Sequence, residues 1–293
     1  MKEQAIALAR GATDPGQALN LLREYLQAFV LRSLHESEAF RPLAFVGGTS
    51  LRFLHNLPRF SEDLDFSLIS AEDYEGKAWM EKVKRDLTLA GFVPDVTWSD
   101  RKTVHTGWVR VAGVLRDAGL SPMADEKLAI KMGIDTRPPA GARCERRLVT
   151  RHLTFFLQHH DLPTLLAGKL YAAITRKYAK GRDWYDLLWY LSHRPPVAPN
   201  LDLLQHALDR SQGVGQMDAR RWPTLARERL LALDMRAMAD EVSPFLERKR
   251  DIQFVNTETL DQLLKDAERL EATDHHGEKN HEQAGPDNPQ TIY

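Results

Sequence analysis

The sequence predicts an α+β fold in two lobes, a mixed β-sheet lobe with helices followed by a helical lobe. Three observations predict it. The 293 residues suffice for two domains of roughly 100 to 200 residues each. Short strand signals punctuated by glycine and proline crowd the first half of the chain. After His160 they give way to long apolar repeats at helical spacing. Strands segregated from helices along a chain indicate α+β rather than alternating α/β organisation. The expected bounds are 1–160 for the sheet lobe, 161–272 for the helical lobe and 273–293 for a disordered tail, because almost nothing apolar follows Thr273.

In order along the chain, Gln17 to Leu34 reads as an amphipathic helix after the turn signal Asp14-Pro15-Gly16. Leu43 to Val46 reads as a strand stopped by Gly47-Gly48, and a helix follows from Thr49 to Leu57. Leu64, Phe66 and Leu68 alternate with Asp65 and Ser67, so 63–68 reads as a strand, and Tyr74 to Ala90 as a helix. Further strands are predicted at Phe92–Trp98, Val104–Val111, Leu128–Ile134 and Leu148–Leu157. Helices are predicted at Leu162–Ala179, Trp184–Ser192, Leu201–Leu208, Pro223–Met235 and Thr257–Leu270.

Forty Lys and Arg against 41 Asp and Glu give 40 − 41 = −1, which removes the bulk electrostatic case for a nucleic-acid or anionic-membrane protein. Any basic patch has to be found by position. Charged residues at 28% and hydrophobic ones at 43% are ordinary for a soluble globular protein. The one cysteine, Cys144, cannot form an internal disulfide, which fits a reducing compartment. The N-terminus lacks the apolar stretch of a signal peptide, and no apolar run approaches the roughly 18 residues of a membrane span. A cytoplasmic protein with no membrane partner is expected. Zinc-protease His spacing, a nucleophile-elbow serine and a P-loop are all missing from the sequence.

Chemistry is concentrated in two segments. The first runs from Phe45 to Arg52 and on through Arg59-Phe60-Ser61-Glu62-Asp63-Leu64-Asp65-Phe66. A strand entering a helix through Gly47-Gly48-Thr49-Ser50 presents free N–H groups at a helix N-terminus, which suits phosphate oxygens, and the two hydroxyls can add donors. Ser61 is a further candidate for backbone or phosphate. Asp63 and Asp65 lie two apart on a strand, so their carboxylates leave the same face. Two close carboxylates repel, and a divalent cation removes that cost; oxygen-only ligation suits Mg²⁺, or Mn²⁺ in its place, held together with substrate phosphates. The second segment runs from Lys169 to Asp186. On one continuous helix Arg176 and Lys180 each fall within about 20° of Lys169 and the three form a cationic stripe, and no acidic residue lies between Lys169 and Arg182 to neutralise it. An anion, such as a triphosphate or an RNA backbone, would. The aromatic run from Trp184 to Tyr190 reads as core packing.

Gly47-Gly48, the spacer and Asp63-Leu64-Asp65-Phe66 resemble the signature of the polymerase-β-type nucleotidyltransferases. More narrowly, Gly-Gly-Thr-Ser-Leu-Arg with Arg59 to Asp65, and Gly168-Lys169-Leu170 with Lys180-Gly181-Arg182-Asp183-Trp184-Tyr185-Asp186-Leu187, resemble the two blocks of the AbiEii/AbiGii toxin family of bacterial abortive-infection and toxin–antitoxin systems. The resemblance covers roughly residues 40–192. It implies a two-lobed nucleotidyltransferase fold and a metal-dependent transfer of a nucleoside monophosphate from a nucleoside triphosphate to an acceptor hydroxyl. Asp63, Asp65 and Lys169 are its implied catalytic residues, with Mg²⁺ on the two aspartates. Gly47, Gly48, Thr49, Ser50, Arg52, Ser61, Arg176 and Lys180 are expected to bind the nucleotide, and Asp183 and Asp186 to hold Lys169. Many relatives place a third carboxylate on a neighbouring strand. Here Gly133 stands where an acid is expected, and Asp135, on the same face as Lys131 and Gly133, is the substitute candidate. The implied acceptor is an RNA, a tRNA 3′ end, and the implied partner a cognate antitoxin encoded nearby. Transfer to a small-molecule or protein hydroxyl, or a non-catalytic interaction protein retaining the fold, are the competing readings.

Overall fold

The computed structural model describes residues 1–282. Helix α1 (Lys2–Arg10) precedes α2 (Pro15–Glu36), whose first turn is fixed by Asp14 accepting from the Gln17 N–H at 2.9 Å, with Pro15 opening the helix. Strand β1 (Leu43–Val46) leads into α3 (Gly47–His55), and β2 (Leu64–Leu68) into α4 (Gly76–Leu89). Then come β3 (Val93–Ser99), β4 (Val104–Ala112), the short α5 (Val114–Asp117), β5 (Lys127–Asp135), β6 (Cys144–Val149) and β7 (Phe155–His160). The helical part follows as α6 (Leu162–Thr175), α7 (Gly181–Leu191), α8 (Leu201–Gln212), α9 (Trp222–Leu231), α10 (Met235–Val242) and α11 (Thr257–Glu282).

Among the described residues one seven-stranded sheet forms, in the order β3-β4-β5-β2-β1-β7-β6. It is mixed: β2 runs antiparallel to β1 but parallel to β5, and β1 runs parallel to β7. The apolar face of β4 and β5, with Val109, Val111, Leu128, Ile130 and Met132 buried, packs with Leu22, Leu26 and Phe29 of α2 and Val83 and Leu87 of α4 in one core. A second core joins the helices of the C-terminal half and takes in Leu51 and Leu57 from the α3 region. That shared packing places the glycine turn at the seam between sheet and helices. The seam is closed again by backbone: Phe60 N–H donates to Phe245 O at 2.8 Å, and Glu247 N–H to Pro58 O at 3.1 Å.

Several local expectations are corrected. The single strand expected at Leu148–Leu157 is a hairpin, β6 and β7, turned at His152 with φ 62, a left-handed position taken without a glycine to announce it. The helix expected from Leu162 to Ala179 ends at Thr175. Arg176 is extended at ψ 129, and the next helix starts only at Gly181. The segment Pro223–Met235 divides into α9 and α10, because Asp234 caps a new helix by accepting from Arg236 and Ala237 N–H. Helix α1 had no sequence expectation. Helix α11 runs on past Thr273, the expected start of the tail, to Glu282; residues 283–293 lie outside the described residues. The aromatic run behaves as core, Trp184, Tyr185 and Tyr190 all being buried. Gly181 is required by packing, since a Cβ there would lie 1.9 Å from the Met238 carbonyl oxygen.

Candidate active site

Gly47 opens α3 with φ +81, a conformation that L side chains rarely adopt, and a Cβ on it would stand 3.0 Å from Asp65 Oδ2. Val46 pairs with Asp65 across β1 and β2, so the turn and the carboxylate are brought together by sheet register. On the other side, Asp65 pairs with Gly133 of β5, and a Cβ on Gly133 would stand 3.2 Å from Asp65 Oδ1. Both carboxylate oxygens of Asp65 therefore face glycines, where no Cβ intrudes. No side chain caps α3, which leaves its first-turn N–H groups to whatever enters the cleft.

The turn lines a cleft of about 440 Å³ between the sheet and the helices. Asp65, Ser67 and Asp135 come from the sheet, Lys169, Tyr171 and Arg176 from α6 and its end, Asp183 from α7 and Arg210 from α8. Asp65 is open to this cleft, yet enclosure by neighbouring protein and then the charge of Asp63 push its carboxyl above the usual range. Lys169, Lys131 and Arg176 pull the other way. Asp63 stands just before β2, and its carbonyl accepts a short hydrogen bond from the Thr49 hydroxyl. The loop leading to it is held by the buried Gln27, whose side-chain N–H groups donate to the carbonyls of Ser61 at 3.0 Å and Glu62 at 2.9 Å.

Behind Lys169 lies a buried ion network joining the two halves. Lys169 Nζ sits 2.7 Å from Asp186 and 3.1 Å from Asp183, and Arg176 pairs with Asp183 at 2.6 Å. Asp186, wholly buried, also takes both nitrogens of the Arg59 fork at 2.6 Å. Burial alone would lower Lys169, but Asp186 and Asp183 outweigh it and raise the ammonium above its ordinary value. Burial likewise works to raise Asp186, and Arg59 and Lys169 outweigh it and hold the carboxyl down. Lys169 thus stays charged at the cleft wall. The cationic run from Lys169 to Arg182 is neutralised in part by these acids of α7, and by Glu241 and Glu62, which pair with Arg182.

The expected site residues divide accordingly. Gly47, Gly48, Asp65, Lys169, Arg176, Asp183 and Asp135 line one cleft, with Asp63 beside Asp65 and Asp186 behind Lys169. Thr49 and Ser50 are not in the cleft lining: both are buried, and the Thr49 hydroxyl is taken by Asp63 O. Arg52 is outside the cleft lining as well. It is 2% exposed and spends its fork on Glu24, Glu247 and the Leu57 carbonyl. Ser61 sits behind the turn, its Oγ 3.1 Å from where a Cβ on Gly48 would be. Lys180 precedes α7 outside the cleft lining, so the three-residue helical stripe does not form. Sequence reasoning missed the role of Arg59, which stands inside the quoted motif, and missed Tyr171, Arg210 and His160, whose positions carry no local signal.

The class of protein is shown by comparison with known families, which places the chain among nucleotidyltransferases. The family model described as nucleotidyl transferase AbiEii toxin, type IV toxin–antitoxin system, matches residues 29–266. The chain belongs to that family. No curated protein matches it. The crystal structure of JHP933 from Helicobacter pylori aligns over 90% of this chain and 98% of its own at 16% identity with a TM-score of 0.57, a likeness of fold. A second H. pylori structure, described as a candidate nucleotidyltransferase, aligns over 82% and 94% at 21% identity with a TM-score of 0.48. Among the described residues no helix is long and apolar enough to cross a membrane.

Proposed function

We propose that this toxin transfers a nucleoside monophosphate from a nucleoside triphosphate to the 3′ hydroxyl of an RNA, a tRNA end, with a divalent cation on Asp63 and Asp65. The observation that carries this reading is Asp65, flanked by two glycines at a helix N-terminus and facing Lys169 across the cleft. The donor set suits a hard cation: the charge of Asp63 raises the cost of ionising Asp65, and the cradle around Asp65 leaves room for phosphate oxygens and water to complete coordination. Mg²⁺ fits that description, and Mn²⁺ as its substitute. When bound, the cation screens charge on the triphosphate and on the leaving pyrophosphate.

The residues of the chain supply the rest. First-turn N–H groups at Gly47 and Gly48 hold phosphate oxygens, and Lys169 and Arg176 place positive charge opposite them. The acceptor oxygen attacks the α-phosphorus, the bond from that phosphorus to the α,β-bridging oxygen breaks, and pyrophosphate departs. In this scheme Asp135, on the same strand face two positions beyond Gly133, takes the hydroxyl proton. Asp183 and Asp186 act through Lys169 by fixing its position. A cytoplasmic setting and an antitoxin encoded nearby belong to the same proposal, supported by the family's type IV toxin–antitoxin description. The test is incubation with α-labelled nucleoside triphosphates, Mg²⁺ and total cellular RNA, followed by sizing of the product. Label in a tRNA-sized band supports the reading. Label confined to protein or small molecules refutes the RNA acceptor.

A further inference from the structure

Strand register extends the site outward across the sheet. Beta pairing places Trp108 opposite Lys131 and Thr97 opposite Trp108. Leu64 pairs with Met132 on parallel strands, so Asp63 and Lys131 each stand one position before that pair and are neighbours on one face. A straight row results, Asp63, Lys131, Trp108 and Thr97, on the face opposite the apolar one packed by α2 and α4. Neighbouring strands lie about 4.8 Å apart, so Trp108 stands roughly 10 Å from the column of Asp63 and Asp65, a distance that a dinucleotide spans.

The chemistry along this row is specific. Trp108 is half-buried and carries the Arg110 guanidinium 5.0 Å from its ring centroid, a paired stacking surface. Lys131 makes no hydrogen bond or ion pair among the described residues, yet its charge already acts on Asp65. A sheet face with an aromatic platform, a cation stacked on it from the same strand and a second cation between it and the carboxylates suits a strand with stacked bases and a charged backbone.

We infer that Lys131 and Trp108 of this row, with Arg110 two positions along β4 from Trp108, seat the acceptor as a single-stranded polynucleotide. A base near its 3′ end stacks on Trp108, its phosphates meet Lys131 and Arg110, and its terminal hydroxyl lies over Asp63 and Asp65. This rests on the nucleotidyl-transfer reading above and narrows its acceptor to a single-stranded end.

The experiment uses the full chain and a fluorescent single-stranded oligoribonucleotide of about 10 nucleotides with a free 3′ hydroxyl, followed by anisotropy without triphosphate. Trp108→Ala is expected to weaken binding at least about tenfold, with Trp108→Phe restoring most of it. Lys131→Gln is expected to lower the slope of log affinity against log salt by about one. Mg²⁺-dependent binding of triphosphate should stay at the parental level in both Trp108 variants. Parental oligonucleotide affinity in both Trp108→Ala and Lys131→Gln, no binding by the unaltered protein, or equal binding of a blunt duplex would each overturn the inference. Loss of triphosphate binding together with oligonucleotide binding in Trp108→Ala would also overturn it, since Trp108 would then not belong to a separate acceptor seat. These outcomes are read from binding alone, so they stand apart from any failure to observe transfer.

Discussion

At Asp65, enclosure by the glycine turn and the charge of Asp63 both raise the carboxyl pKa. An acid with a raised folded pKa loses stability as pH rises through the interval between its unfolded and folded values, so at neutral pH its ionised form is held at a cost to the fold. Asp65→Asn should therefore melt at or slightly above the parental temperature while abolishing transfer; a marked drop in melting temperature would contradict this. Asp63→Asn should equally abolish transfer, and labelling at the parental rate would remove Asp63 from the cation. The histidines respond in the opposite sense. Burial, reinforced at His55 by His159, lowers His55 and His160 to about 4. A base with a depressed folded pKa contributes stability that is present above its unfolded value and lost as pH falls through the folded one. Thermal stability should thus fall between about pH 6.5 and 4, and His55→Asn should flatten part of that slope, measured by melting curves across the interval.

The elements α3, α6 and α7 meet through Arg59, Lys169, Asp183 and Asp186. Removing one partner of a buried pair strands the other, so Asp186→Asn should destabilise the fold by about 3–5 kcal/mol in denaturant unfolding, because the buried Arg59 loses its counter-charge. Lys169→Ala is different. Asp186 keeps Arg59 and Asp183 keeps Arg176, so loss of nucleotide affinity should exceed loss of stability. At this scale the sequence was informative where a residue pattern is local. The alternation Leu64, Phe66, Leu68 and the Gly47-Gly48 stop foretold β2 and the turn, and with them the meeting of Asp65 and Gly47. The end of α6 at Thr175 was hidden, because Arg176 to Lys180 contains no glycine or proline; Arg229, from α9, donates to the Arg176 carbonyl at 2.8 Å, a contact made only in the folded chain. The burial of Arg52 was hidden for the same reason, its partner Glu247 being 195 residues away.

For the molecule as a whole, the sheet half supplies the carboxylates and the helical half the lysine, and the second core draws Leu51 and Leu57 into the helices. Residues 1–160 alone would expose those apolar surfaces and lack Lys169, so that fragment should be insoluble and inactive. At the other end the last fully buried side chain among the described residues of α11 is Leu264, so a chain ending at Ala272 should melt within a few degrees of the full protein. A nucleotide site built jointly by the two halves is tested most directly by calorimetric titration of nucleoside triphosphate with and without Mg²⁺. The unaltered protein should bind only with the cation, Asp65→Asn should lose that dependence together with the affinity, and Lys169→Ala should bind at least about tenfold more weakly. Parental, Mg²⁺-dependent affinity in both variants would contradict it.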